Sequence, residues 1–137
     1  MKEKLRVVTY MRVASNNYDS IFNKELVLSD LVKSHQDEWN IVDRVFDYGI
    51  SGRKYERPGL LHLIEMCKKG EVDLVVTLNS YMLARDVLVY KRIYQELAEA
   101  EVELYIDELH KSKYKDKKNF KVDVSKFQNK ISQLIFA

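Results

Sequence analysis

Three arginines, a serine and an aspartate are the residues of this sequence that could carry chemistry together. Arg12, Arg57 and Arg85 are distant in the chain, yet each falls in a segment that opens where an apolar run closes, after Tyr10, Phe46 and Leu78. Those segments hold Arg12 and Ser15, then Asp47 through Arg57, then Tyr81 through Asp86. A guanidinium keeps its charge and offers a planar fork of donors that matches phosphate oxygens. Arginines converging from three loops, with no metal-ligand pattern beside them, point to a phosphodiester site. The competing reading makes each one a surface arginine in a local ion pair. Ser15 offers a hydroxyl nucleophile, or else a turn or helix-cap hydroxyl ahead of Asn16, Asn17 and Asp19. Asp47 either orients the arginines or closes the turn into Gly49.

The elements that must position these residues alternate between two apolar periods. Leu5–Tyr10 is a short β-branched run of the kind a buried strand requires. Leu28, Leu31, Val32 and His35 recur at helical spacing, which predicts a helix over residues 21–37. Trp39–Phe46 reads as a second strand. Pro58 stands at a first helical position, where no backbone donor is needed, and Gly70 closes that helix. Leu60, Leu61, Ile64 and Cys67 form its expected inner face. Asp73–Leu78 is the third strand, Asp86–Ala100 a helix with Tyr90, Ile93, Tyr94 and Leu97 inward, and Val102–Ile106 the fourth strand. This order predicts an α/β domain, a mainly parallel central sheet with helices on both faces. Ligands of such sheets collect at the carboxyl ends of the strands, where all three arginines are expected.

Composition narrows the classes. The 137 residues suit one domain, and 46% hydrophobic content suffices for one core. With 23 basic and 21 acidic residues the net charge is only +2, so any affinity for DNA must come from local clustering. A single cysteine, Cys67, excludes an intramolecular disulfide and argues against a cysteine-based zinc site. It is expected to be an inert core thiol. His35, His62 and His110 have no metal-ligand spacing. No apolar run approaches a membrane span or a signal peptide, and a cytoplasmic protein without metal or cofactor is the expectation.

Several motifs resemble the N-terminal catalytic domain of the serine site-specific recombinases, the resolvase/invertase family. Tyr10-Met11-Arg12-Val13 is similar to their opening Tyr-x-Arg-Val. Asp47-Tyr48-Gly49-Ile50-Ser51-Gly52, followed by Glu56-Arg57-Pro58-Gly59-Leu60, resembles their Asp-x-Gly-x-Ser-Gly … Arg-Pro-Gly block. The run from Gly70 to Val76 and the pair Arg85-Asp86 fit the signatures that follow. The resemblance implies a resolvase-like fold and a phosphoryl-transfer enzyme. Its serine attacks a DNA phosphate, forms a phosphoserine link and exchanges strands without metal or ATP. Subunits would assemble as a homodimer or tetramer on DNA. Fixed cations should stabilise the charge that gathers on the phosphoryl oxygens.

The sequence also departs from that pattern. The family's nucleophile position is Ala14 here, with serine one residue later at Ser15. Its Asp-Arg pair after the third strand is Tyr81-Met82, and Leu26 stands where the first helix often has glutamine. Loss of one preorganised donor costs ~2.7–4 kcal/mol of transition-state stabilisation, a ~100–1,000-fold slower reaction. The expected catalytic set is therefore Ser15, Arg12, Arg57, Arg85 and Asp47, with strand cleavage weak or absent.

The chain divides into an expected catalytic core over 1–110 and a tail over 111–137. The stretch Lys111–Lys121 holds six lysines and one aspartate. Lys113, Lys115, Lys117 and Lys118 could track a DNA backbone, although such runs are more often solvated loops. Val124, Phe127, Ile131, Leu134 and Ile135 suggest an amphipathic helix, a shortened counterpart of the family's dimerisation helix. No DNA-recognition domain is expected. Two functions follow: a recombinase catalytic domain, or an inactive relative that serves as a DNA-associated assembly or regulatory partner. A third, a small-molecule α/β binder, is weakened because no glycine-rich phosphate loop follows the first strand.

Overall fold

The computed structural model describes residues 3–14 and 18–109. Four strands, β1 (Leu5–Val13), β2 (Trp39–Tyr48), β3 (Leu74–Thr77) and β4 (Glu103–Ile106), form one sheet in the order β2-β1-β3-β4. All three pairings are parallel. Four helices connect them: α1 (Tyr18–Ser34), α2 (Pro58–Lys68), α3 (Ser80–Leu83) and α4 (Val87–Glu99). The predicted α/β architecture is the one observed.

The two sheet faces are covered differently. Val8, Tyr10, Val75 and Leu104 point to one face and pack with Leu60, Leu63 and Ile64 of α2 and Ile93 and Leu97 of α4. Val7, Met11, Leu74 and Val76 point to the other, where Leu28 of α1 and Met82 of α3 cover them. That alternation follows from the two-residue period of a strand, and both sets are apolar because both faces are buried. The inner face of α2 is Leu60, Leu63, Ile64 and Cys67, not the expected set containing Leu61, which is 43% exposed. Positions i, i+3, i+4 and i+7 share a helical stripe, and Leu61 lies one residue off it.

Several boundaries moved for local reasons. β1 runs on to Val13 and β2 to Tyr48, pairing Arg12 with Asp47 and Val13 with Tyr48. An irregularity after Val7 skips Val42 on the edge strand β2. The short helix α3 was not anticipated. Four residues cannot display a helical period, and its clearest sign is Asn79, whose side chain accepts from the Met82 N–H at 3.0 Å. Asp86 caps α4 in the same manner, accepting from Leu88 and Val89. His35 is buried and stacked on Trp39 at 4.1 Å, a packing role. His62 lies at the surface beside Asp43. Among the described residues no helix is long and apolar enough to cross a membrane. His110 and the tail fall outside them.

Candidate active site

The chain leaves β1 towards β2 on one side and leaves β3 towards β4 on the other. Connections that diverge from adjacent parallel strands leave a crevice at their carboxyl ends. Here it is a cleft of about 320 Å³, walled by Arg12 at the end of β1 and Ala14 just after it, Ser20 and Lys24 of α1, and Asn79, Tyr81, Met82 and Arg85 around α3.

Arg12 forms the floor of the cleft and is only 5% exposed. Its Nε donates to the Met82 carbonyl at 3.2 Å, its Nη1 to the Ile50 carbonyl at 3.0 Å, and its Nη2 to the Tyr81 carbonyl. Arg57 is fully buried behind it. Its Nη1 donates to the Met82 carbonyl and to the Tyr10 hydroxyl, both at 3.2 Å, and its Nη2 to the Leu83 carbonyl. The last carbonyls of a helix lack intrahelical partners. Two guanidinium groups thus clamp three consecutive carbonyls of α3. Burial lowers the pKa of both arginines, and for Arg12 the charges of Arg57 and Arg85 add to the effect. Arg57 and Arg85 are both near enough to Arg12 to repel it.

Among the described residues the Asp47 carboxylate bonds to no arginine directly, and it does not close the turn, where the Gly49 N–H donates to the Val13 carbonyl. The Asp47 carboxylate accepts from the Gly59 N–H at 2.8 Å and the Leu60 N–H at 2.9 Å, capping α2 from the neighbouring strand. The Tyr10 hydroxyl also donates to it, at 2.7 Å. Tyr10 therefore joins Asp47 to Arg57: the carboxylate receives its proton and the guanidinium donates to its oxygen. Burial, chiefly, pushes the Tyr10 phenol well above its ordinary pKa and keeps that donor protonated, while the Arg57 charge pulls the other way. Arg57 Nε is buried with no hydrogen-bond partner among the described residues. Its charge is balanced through Tyr10 and by the Tyr10 ring, 5.7 Å from the guanidinium carbon.

Arg85 is exposed, with its guanidinium carbon 5.1 Å from the centroid of the Tyr81 ring. Its backbone N–H donates to the Gly52 carbonyl at 2.9 Å. Gly52 sits between Arg12 and Arg85. A Cβ there would lie 2.7 Å from Arg12 Nη2 and 2.9 Å from Arg85 Cγ. Only a residue without a side chain lets the two arginines close on the loop. Met82, where the resemblance implied an arginine, is 2% exposed, and its sulfur accepts from the Thr77 hydroxyl at 3.4 Å. That position belongs to the core.

Of the expected residues, Arg12 and Arg85 reach the cleft, while Arg57 and Asp47 lie beneath it. Ser15 and Lys113, Lys115, Lys117 and Lys118 lie outside the described residues. Tyr10 and Gly52 were named as motif positions without a role in the site, and Lys24 was not named. Lys24 had a usable signal: the stripe Leu28, Leu31, His35, extended backwards by fours, turns polar at Lys24 and Ser20, where α1 leaves the core for the cleft.

The chain belongs to the resolvase N-terminal domain family, whose model matches residues 7–133. No curated protein matches it. Among solved structures it is similar to the N-terminal catalytic domain of TP901-1 integrase, with 22% identity and a TM-score of 0.73 over 94% of this chain and 92% of that one. It is also similar to the C-terminal catalytic domain of ISC1926 TnpA, an IS607-like serine recombinase, with 18% identity and a TM-score of 0.68 over 97% and 100% of the two chains. A resolvase family site-specific recombinase from Streptococcus pneumoniae matches at 20% identity and a TM-score of 0.64, over 96% and 91%. These likenesses define the fold, that of a serine recombinase catalytic domain.

Proposed function

We propose that this chain is a recombinase catalytic domain that holds a DNA phosphate in the cleft between β1 and β3 and attacks it with Ser15, slowly. The reading is carried by Gly52, whose missing side chain lets Arg12 and Arg85 approach, and by the cleft that both cations line. Arg85 supplies free donors. Arg12 supplies charge from the floor, with one N–H of each guanidinium nitrogen engaged by a carbonyl. Arg57, Tyr10 and Asp47 hold α3 and α2 in register beneath.

In the step itself, Ser15 Oγ forms a new bond to phosphorus as a deoxyribose oxygen leaves and is protonated. One phosphodiester replaces another, so bond energy is kept for rejoining without metal or cofactor. The partners would be DNA and further copies of the chain. The missing cation at Met82 predicts a rate ~100–1,000-fold below that of a site with all its donors.

A second reading, an inactive assembly or regulatory partner, is favoured by the same Met82, buried where a phosphate-facing guanidinium would be needed. Nicked suicide duplexes of random sequence separate the two. Covalent protein–DNA adducts mapping by mass spectrometry to the peptide containing Ser15, and absent in Ser15→Ala, establish the enzyme. Adducts that appear only in Ala14→Ser, or in neither protein, establish the inactive partner.

A further inference from the structure

The cleft holds more positive charge than the motif arginines account for. Lys24 lines it from α1, and Arg85 from the segment after α3. Arg12, Lys24 and Arg85 are thus three cations around about 320 Å³, and no carboxylate is among the lining side chains. Lys24 is half-buried and makes no hydrogen bond or ion pair among the described residues. An ammonium and two guanidinium groups lining one cleft offer an anion there several cationic contacts.

The position has a second meaning. Met82 packs into the core and brings no charge to the cleft it borders, whereas Lys24 brings one from α1. An ammonium is a compact point charge on a flexible stem and can meet a phosphate without the fixed geometry a guanidinium fork needs.

We propose that Lys24 contacts the bound DNA phosphate together with Arg85, supplying from α1 the charge that Met82 does not. The inference rests on reading the cleft as a phosphodiester site, and it adds a binding residue from an element that carries none of the motif arginines.

Two measurements test it. Lysine side-chain 15N resonances are followed as dimethyl phosphate, the smallest phosphodiester, is titrated into the full chain. Lys24 should shift saturably and the exposed Lys33 should not. In parallel, affinity for a short random-sequence duplex is measured against salt concentration. Lys24→Met should flatten the log–log slope by ~0.9, the loss of one phosphate contact. Lys24→Arg should keep the wild-type slope, and Lys33→Met should leave it unchanged. A silent Lys24 resonance, or a Lys24→Met slope equal to wild type, overturns the proposal. Cleavage is read separately: wild-type protein whose Lys24 responds but which forms no Ser15 adduct refutes the phosphoserine step and leaves this contact standing.

Discussion

Tyr10 and Asp47, on neighbouring strands, share a buried 2.7 Å hydrogen bond that couples the start of α2 to Arg57. The coupling explains how a buried guanidinium is tolerated with no carboxylate in direct contact. Negative charge reaches it through one phenol, and two carbonyls, of Met82 and Leu83, accept from its Nη groups. Tyr10→Phe removes that bridge with almost no change in volume. It should cost ~1.5–3 kcal/mol, the range for hydrogen bonds to charged groups, visible as a lower urea midpoint with unchanged slope. An unmoved midpoint would show that the phenol contributes no net stability.

Gly52→Ala tests the spacing of the two cleft arginines. The added methyl would lie 2.8 Å from Arg12 Cζ and 2.9 Å from Arg85 Cγ. Those atoms belong to side chains that can yield, so the fold should survive with its melting temperature lowered by a few degrees. Displacement of the arginines by ~1 Å should reduce adduct formation by ~100-fold. Wild-type adduct yield in a folded Gly52→Ala protein would refute that role of Gly52.

Met82→Arg looks like a repair of the family motif, and the packing predicts the opposite. The side chain lies in the core with Met11 and Leu78, so a guanidinium would be buried or would push α3 off the sheet. Loss of ~3 kcal/mol or more is expected, measured by denaturant unfolding. A stable Met82→Arg protein with faster cleavage would mean that α3 turns this side chain outward with ease.

The amino edge of the sheet gives a pH signature. Asp73 accepts from the Arg6 backbone N–H at 2.7 Å and from its guanidinium at 2.9 and 3.1 Å. These contacts, led by the side-chain hydrogen bonds, hold the Asp73 carboxyl below its ordinary range. A depressed carboxyl stabilises the fold above the unfolded pKa of about 3.9, and that contribution fades as pH falls through the lower folded value. The stability gap between wild type and Asp73→Asn should therefore be constant near neutrality and narrow in acid. A gap that widens in acid would contradict the assignment.

The sequence by itself determined the alternation of strands and helices, the parallel sheet and the edge at which Arg12 and Arg85 arrive. Those features follow from local periodicity and from strand direction, both written in consecutive residues. It also carried the family motifs, Pro58 and Gly59 at a helix start and Asp47 on the strand before it. Only the tertiary structure decided which donors are free. Arg12 and Arg57 turn inward to the carbonyls of α3, while Arg85 and Lys24 remain at the cleft, since hydrogen-bond partners more than twenty residues away select each side chain's direction. Met82 illustrates the same limit: a thioether five residues past a buried strand has no pattern that marks it as core. Its burial depends on a gap between sheet and helix that exists only once the chain has folded.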